Sequence, residues 1–243
     1  MKWRFAKYVL AITLLALSSC QKDTVYGSGM RVEDVRTIIG GYSKIKVRNG
    51  LILVINPTLP KERVIIKCDE ELLPYVSVKT SLTNELSVGY KNSFSFDTPL
   101  ETEVHISGEG VDSYDLRHSK MYTSSTLVQD SLTIKAAESE MALDITAHKM
   151  YLTAERCDKV KIAGSAEMCE MVLSEASDID AIQLEAGRID AIIATSRANV
   201  WCNKQLNASL TEGSSLYYLG DCTTKVDATR DSQCIKMDKT TRQ

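Results

Sequence analysis

The chain has 243 residues, 44% of them hydrophobic and 25% charged, with a formal net charge of -3. That size suits one globular domain of about 200 residues once a leader is removed, and Lys and Arg scattered among as many acids exclude the clustered basic surface that a nucleic-acid partner demands. With three Phe and two Trp, the interior has to be filled by Ile, Leu, Val, Met and Ala, a thin aliphatic core of the kind that stacked short strands can bury.

Residues 1–19 read as a leader. Lys2, Arg4 and Lys7 supply positive charge, and the apolar segment from Tyr8 to Leu17, about ten residues long, is too short to span a bilayer. The segment ends in LSSC, which resembles a bacterial lipobox. By that resemblance Cys20 becomes the first mature residue and carries the lipid, and acyl chains contributing about 0.8 kcal/mol per buried CH2 hold the protein on a membrane. The alternative is an ordinary cleaved leader whose cysteine happens to follow Ser-Ser. Gln21 stands where an Asp would be expected for inner-membrane retention in enteric bacteria, so the expected location is the outer membrane, on its periplasmic face or at the cell surface. Residues 20–36, polar and containing YGSG (Tyr26 to Gly29), read as a lipidated tether.

The domain itself is expected over 37–238, followed by a polar tail at 239–243. In YSKIKVRNGLILVI, Ile45 and Val47 share one face, and after Asn49-Gly50 so do Ile52 and Val54. Asn-Gly between two such runs is a turn signal that a bulge or corner would use equally well. In YVSVKTSLTNELSVGY, Thr83-Asn84 separates Val76 and Val78 from Leu86 and Val88. The N-terminal part therefore predicts a small β-sheet or the first turns of a larger one.

Beyond about residue 100 the texture becomes a loose repeat. AESEM (137–141), RCDKV (156–160), EASDI (175–179), SRANV (196–200) and EGSSL (212–216) each end in an apolar residue. A second series, Leu152, Leu173, Ile193 and Leu210, recurs between them with the same period of roughly 16 to 21 residues. A unit this short holds two or three strands and cannot bury its inward side chains alone, so it must stack on its neighbours as a parallel β-solenoid. The stretch ASDIDAIQLEAGRIDAII (176–193) looks helical, because Ile179, Ile182, Ala186, Ile189 and Ile193 fall at spacings of three and four. Alternation around Leu184 and the interruption at Gly187 favour strands, and a corner that adds one residue to a period of two reproduces the helical spacing.

The opening GGYSKIKVRNGLILVI, the segment CDEELLPYVSVKTSLTNELSVGY, the small-residue turns ISGEGVDS and IAGSAEM and the closing SLYYLGDCTTKVD, in this order, resemble the bacterial envelope family called the auto-transporter adhesin head, or GIN domain. The resemblance spans about residues 37–236. It implies an all-β fold, a right-handed parallel β-helix or β-roll, on a secreted or lipid-anchored protein, with no established catalytic residues. Family members often place Gly at each repeat corner, whereas Ala176-Ser177 and Ser196-Arg197 stand at comparable places here, which leaves the corner geometry open.

Cys68, Cys157, Cys169, Cys202, Cys222 and Cys234 have no zinc-like spacing and are expected to be buried thiols acting as small hydrophobes; were any bridged, sequence could not choose among fifteen connectivities. His105, His118 and His148 lie far apart in sequence, and the acids Glu175, Asp178, Asp180, Glu185 and Asp190 read as the wet face of alternating strands. No cofactor or metal is called for. Aligning Val200 with Leu216 puts Trp201 above Tyr217 on neighbouring turns, a candidate platform for a sugar ring or an apolar partner. The expected function is a lipid-anchored, non-enzymatic binding, adhesion-like or structural module whose partners are the membrane, through Cys20, and a glycan or another envelope protein. The alternative is a polysaccharide-acting β-helix enzyme, a lyase or hydrolase, which would need convergent Arg, Lys, His or carboxylates in a groove.

Overall fold

The computed structural model describes residues 23–91 and 94–238. The leader at 1–19, the lipidation site Cys20 and the tail at 239–243 lie outside the described residues. Alternating segments in the N-terminal part form β1 (Asp23–Tyr26), β2 (Arg31–Thr37), β3 (Lys44–Arg48), β4 (Ile52–Ile55), β5 (Arg63–Asp69), β6 (Val76–Thr80), β7 (Glu85–Tyr90), β8 (Phe94–Asp97) and β9 (Glu103–Ile106). Strands β3 and β4 make the first turn of a solenoid, and Asn49 and Gly50 form its corner with φ of 69° and 78°. Strands β7 and β9 lie parallel on them, and β2, β5 and β6 add antiparallel pairings. The result is a flap over one end of the core, under which Val64, Ile66 and Leu72 are fully buried. Thr83-Asn84, which separates the two apolar pairs in sequence, lies at the turn of the antiparallel β6–β7 pair, with Asn84 at φ 57°.

The stretch expected as a tether, 20–36, is corrected from Asp23 onward. Strand β1 pairs with β8, and β2 pairs along its whole length with β5. The sequence hid this because RVEDVRT buries no side chain fully; backbone pairing holds the strand, and backbone pairing leaves no hydrophobic signature. Asp69 fastens the same segment. Its buried carboxylate accepts the Gly29 amide at 2.9 Å and the Thr98 hydroxyl at 2.8 Å. Burial alone would raise its pKa, but these hydrogen bonds outweigh burial and hold the carboxyl below the usual aspartate value.

The rest of the chain forms β10 (Ser113–Arg117), β11 (Lys120–Thr123), β12 (Leu127–Ala137), β13 (Glu140–Glu155), β14 (Val160–Ser174), β15 (Asp178–Ala194), β16 (Arg197–Thr211), β17 (Ser215–Leu219), β18 (Thr223–Ala228) and β19 (Gln233–Lys236). Strands β10 to β17 pair in parallel with the turns on either side, and β18 and β19 with the turn before them, giving a solenoid of about 7 turns. Each long strand serves two arms: β17 lies against the start of β16 and β18 against its end. Inward positions stack in rows such as Ala154, Leu173, Ile193 and Leu210, and each buried Leu or Ile contributes about 1.5–3 kcal/mol.

In the ambiguous stretch 176–193, Ala176 and Ser177 form a corner and the rest belongs to β15, one bent strand of 17 residues and neither a helix nor two separate strands. The register jumps between Lys161 and Ala163 of β14, leaving Ile182 as an extra residue in the bend. Ile182 is half-buried, whereas Ile179, Ala186, Ile189 and Ile193 face the core. One bulged residue in a period-two pattern produced the helical spacing. Gly187 allows close stacking there, since a Cβ would stand 2.8 Å from the Glu167 carbonyl oxygen.

The corners follow a rule that needs no glycine. His118, Glu138, Arg156, Ala176 and Thr195 all have φ between 47° and 64°. This left-handed region is open to L-residues but unfavourable by about 1–2 kcal/mol. The next residue is Ser119, Ser139, Cys157, Ser177 or Ser196, and the row continues through Ser214 and Ser232. Each hydroxyl that follows bonds in two directions. Ser177 Oγ donates to the Ser174 carbonyl at 2.8 Å and accepts the Cys157 amide at 3.2 Å; Ser196 Oγ donates to the Ala194 carbonyl at 2.8 Å and accepts the Ser177 amide at 3.1 Å. Ser139 and Ser214 repeat the pattern, with rungs 18 to 20 residues apart. The ladder satisfies amides that the corner would otherwise bury unpaired.

Cys157 is the one break in the row, with a thiol donating weakly to the Glu155 carbonyl at 3.4 Å. Ser177→Ala, which strands the buried Cys157 amide and leaves the Ser174 carbonyl with the Arg156 amide only, is expected to destabilise the protein by about 1–3 kcal/mol. Cys157→Ser, which completes the row, is expected to be neutral or stabilising. Urea unfolding of both variants checks the pair.

Candidate binding face

Outward side chains form columns that run from turn to turn, about 4.8 Å apart. On the first arm, one column is charged. Lys120 meets Glu101 at 2.6 Å and Glu140 at 3.7 Å, and Glu140 meets Lys159 at 2.9 Å. Asp178 and Arg197 continue it in register. The hydrogen bond from Lys159 holds the Glu140 carboxyl below its usual value, and the Glu101 partner raises the Lys120 ammonium. The adjacent column runs Tyr122, Ala142, Lys161, Asp180, Asn199 and Tyr217. The short side chain of Ala142 leaves a depression between them, so two shallow cavities of about 460 and 310 Å³ share Ala142, Lys161 and Asp180.

On the second arm a cavity of about 580 Å³ has Val172 and Ile192 on its floor, 43% and 58% exposed, beside Glu170, Asp190 and Asn207. Asp190 accepts from Arg188 at 2.8 Å and Asn207 at 2.6 Å. Burial would raise its pKa, and these two donors bring it below the usual range.

The structure separates the acids singled out in the sequence. Asp178 and Asp180 share the first-arm groove, Asp190 lies on the second arm, and Glu175 sits at a corner against Arg156. Each histidine has a glutamate partner: His105 with Glu103 at 2.9 Å, His118 with Glu138 at 2.8 Å and His148 with Glu167 at 2.8 Å. The cysteines among the described residues are free thiols, with Cys68, Cys157, Cys169 and Cys202 buried and Cys222 and Cys234 half-buried. Burial pushes Cys169 up to about 12, and burial followed by the neighbouring Cys222 pushes Cys202 up to about 11.

The alignment expected for Trp201 and Tyr217 needs correction by two residues. Leu216 pairs with Ala198, not Val200, so Tyr217 lies across from Asn199 and Trp201 across from Leu219. Ala198 is the true inward marker of that turn; being small, it was passed over for the larger Val200. Tyr217 instead lies beneath the Arg197 guanidinium, 4.9 Å from ring centroid to charge, and receives a hydrogen bond from Gln233 at 3.2 Å. Trp201 donates to Asn203 at 2.9 Å and covers Gly220, where φ is 101° and a Cβ would collide with the Cys202 carbonyl. The two rings are diagonal neighbours of the same arm, not a stacked pair. The Tyr122–Tyr217 column is absent from the sequence analysis; its signal is the residue directly after each inward marker, polar or aromatic at every turn except Ala142.

These features define a rigid parallel solenoid that displays solvated columns, a scaffold for binding. The chain belongs to the family described as "Putative auto-transporter adhesin, head GIN domain", which matches residues 41–222. Solved structures share the fold. A putative adhesin from Bacteroides fragilis is 16% identical with a TM-score of 0.78, covering 88% of this chain and 100% of its own. A putative adhesin from Parabacteroides distasonis is 18% identical with a TM-score of 0.68, covering 88% and 99%. A protein from the same species described as a putative lipid binding protein is 14% identical with a TM-score of 0.69, covering 89% and 100%. A comparison with curated proteins finds no match.

Proposed function

We propose that this protein is a lipid-anchored module of the bacterial cell envelope that binds a glycan on the first arm of its solenoid and acts without catalysis. The observation that carries the reading is the first-arm groove. It offers hydrogen-bonding and charged groups from Lys161, Asp180, Asn199 and Arg197 on successive turns, with Tyr217 at its end. Rows at strand spacing suit an extended polar ligand, and an aromatic face with polar neighbours suits a sugar ring. Glycoside chemistry would need a desolvated acid, and Asp178 is exposed while the groove is open to water. Family membership and adhesin-like neighbours support binding over catalysis.

Labelling with a radioactive or clickable palmitate is expected to tag the wild-type chain and to leave Cys20→Ala untagged and released from the membrane fraction. Equal membrane retention of both would contradict the anchor. A glycan array probed with residues 21–243 is expected to show specific binding that falls at least about tenfold in Tyr217→Ala and Asn199→Ala; binding that survives both, or is absent throughout, counts against the groove. Trp201→Ala tells whether the diagonal indole belongs to the same site.

A further inference from the structure

The two ends of the solenoid differ. At the N-terminal end the antiparallel flap covers the core. At the other end β18 is exposed at every residue, and its inward positions Thr224, Val226 and Ala228, stacked on Leu206, Ala208 and Leu210, have no further turn above them among the described residues. Val226 is 37% exposed although the residue it stacks on is buried. Solenoids need their last turn covered, and an unpaired strand edge is a template for another strand. The family match ends at residue 222, before this strand begins.

The sequence of the edge indicates what covers it. Strand β18 reads Thr-Thr-Lys-Val-Asp-Ala, with Lys225 and Asp227 on the outward face on either side of Val226. Neither makes an ion pair with any described residue. Turned about a two-fold axis through Val226 and normal to the sheet, a second copy of the strand runs antiparallel to the first, with Lys225 opposite Asp227 of its mate twice over. Val226 then meets its own equivalent on the inward side, and Thr224 meets Ala228. Moving the register by two residues in either direction loses the double charge match and sets Lys225 against itself or Asp227 against itself. Strand β19 already lies over β17 on the first arm, so on the second arm each chain has one open edge at this end, β18, and with the opposite end covered this gives a closed pair and no filament.

We propose that two copies of this chain associate tail to tail, β18 against β18 in antiparallel register centred on Val226. The partner is a second copy because the edge is complementary in charge to itself, and this inference stands independently of the glycan groove.

Sedimentation velocity of the full-length chain in mild detergent tests it, with thermal melting to confirm that each variant folds. Wild type is expected to dimerise. Lys225→Asp, which turns two attractions into two repulsions, is expected to weaken the dimer about tenfold or more. Lys225→Asp combined with Asp227→Lys restores the match with the signs exchanged and is expected to recover the dimer. A wild-type monomer at all concentrations, a dimer insensitive to Lys225→Asp, or a folded double variant that stays monomeric would each overturn the proposal.

Discussion

The solenoid depends on how its corner disposes of backbone amides. A chain that turns sharply every 18 to 20 residues must bury N–H groups that no strand can reach, and an unpaired buried amide is unfavourable by about 1–3 kcal/mol. Here a left-handed residue makes the bend, and the serine after it donates to its own turn while accepting from the one before. Left-handed backbone is unfavourable by a similar amount, so the hydroxyl row largely offsets the strain. Stacking the aliphatic rows supplies the net stabilisation.

Once the corners fix the register, the outward surface follows with no further freedom. Residues at equal distance from successive serines stand in columns at strand spacing. One column becomes a charge ladder from Glu101 to Lys159. Its neighbour becomes a groove because Ala142 is small between Tyr122 and Lys161. Such a surface is rigid and long, and it can be altered one turn at a time without disturbing the core, since outward and inward residues alternate. Solved structures only 14–18% identical to this chain share its fold, as expected of a scaffold that asks for apolar residues inward and leaves the outer columns free to change.

Much of this was legible in the sequence. Two series with one period identified the stacking, and the Asn-Gly and Thr-Asn dipeptides marked breaks between apolar runs that the structure resolves as a corner and a hairpin. The errors share a cause, which is that small or backbone-held residues carry little hydrophobic signal. Ala198 was passed over for Val200, and that slip of two placed Trp201 over Tyr217. Ala154 was likewise passed over for Leu152, although the row in register with Leu173 and Ile193 runs through the alanine. Strand β2 resembles a tether in sequence because none of its side chains is fully buried, and backbone pairing with β5 supplies most of what holds it. The serine row itself was visible as Ser119, Ser139, Ser177, Ser196, Ser214 and Ser232, but polar residues at a corner look like any turn until the hydrogen bonds between turns are known.

Native-state hydrogen exchange tests the corner ladder most directly. The amides of Cys157, Ser177 and Ser196 donate to a neighbouring turn's hydroxyl, so they are predicted to exchange only through opening of the whole stack, as slowly as the amides of β14 and β15, with protection declining toward β18 and β19. Exchange of those three amides at the rate of an open loop, while the strands beside them remain protected, would show that the corners do not hold the turns together.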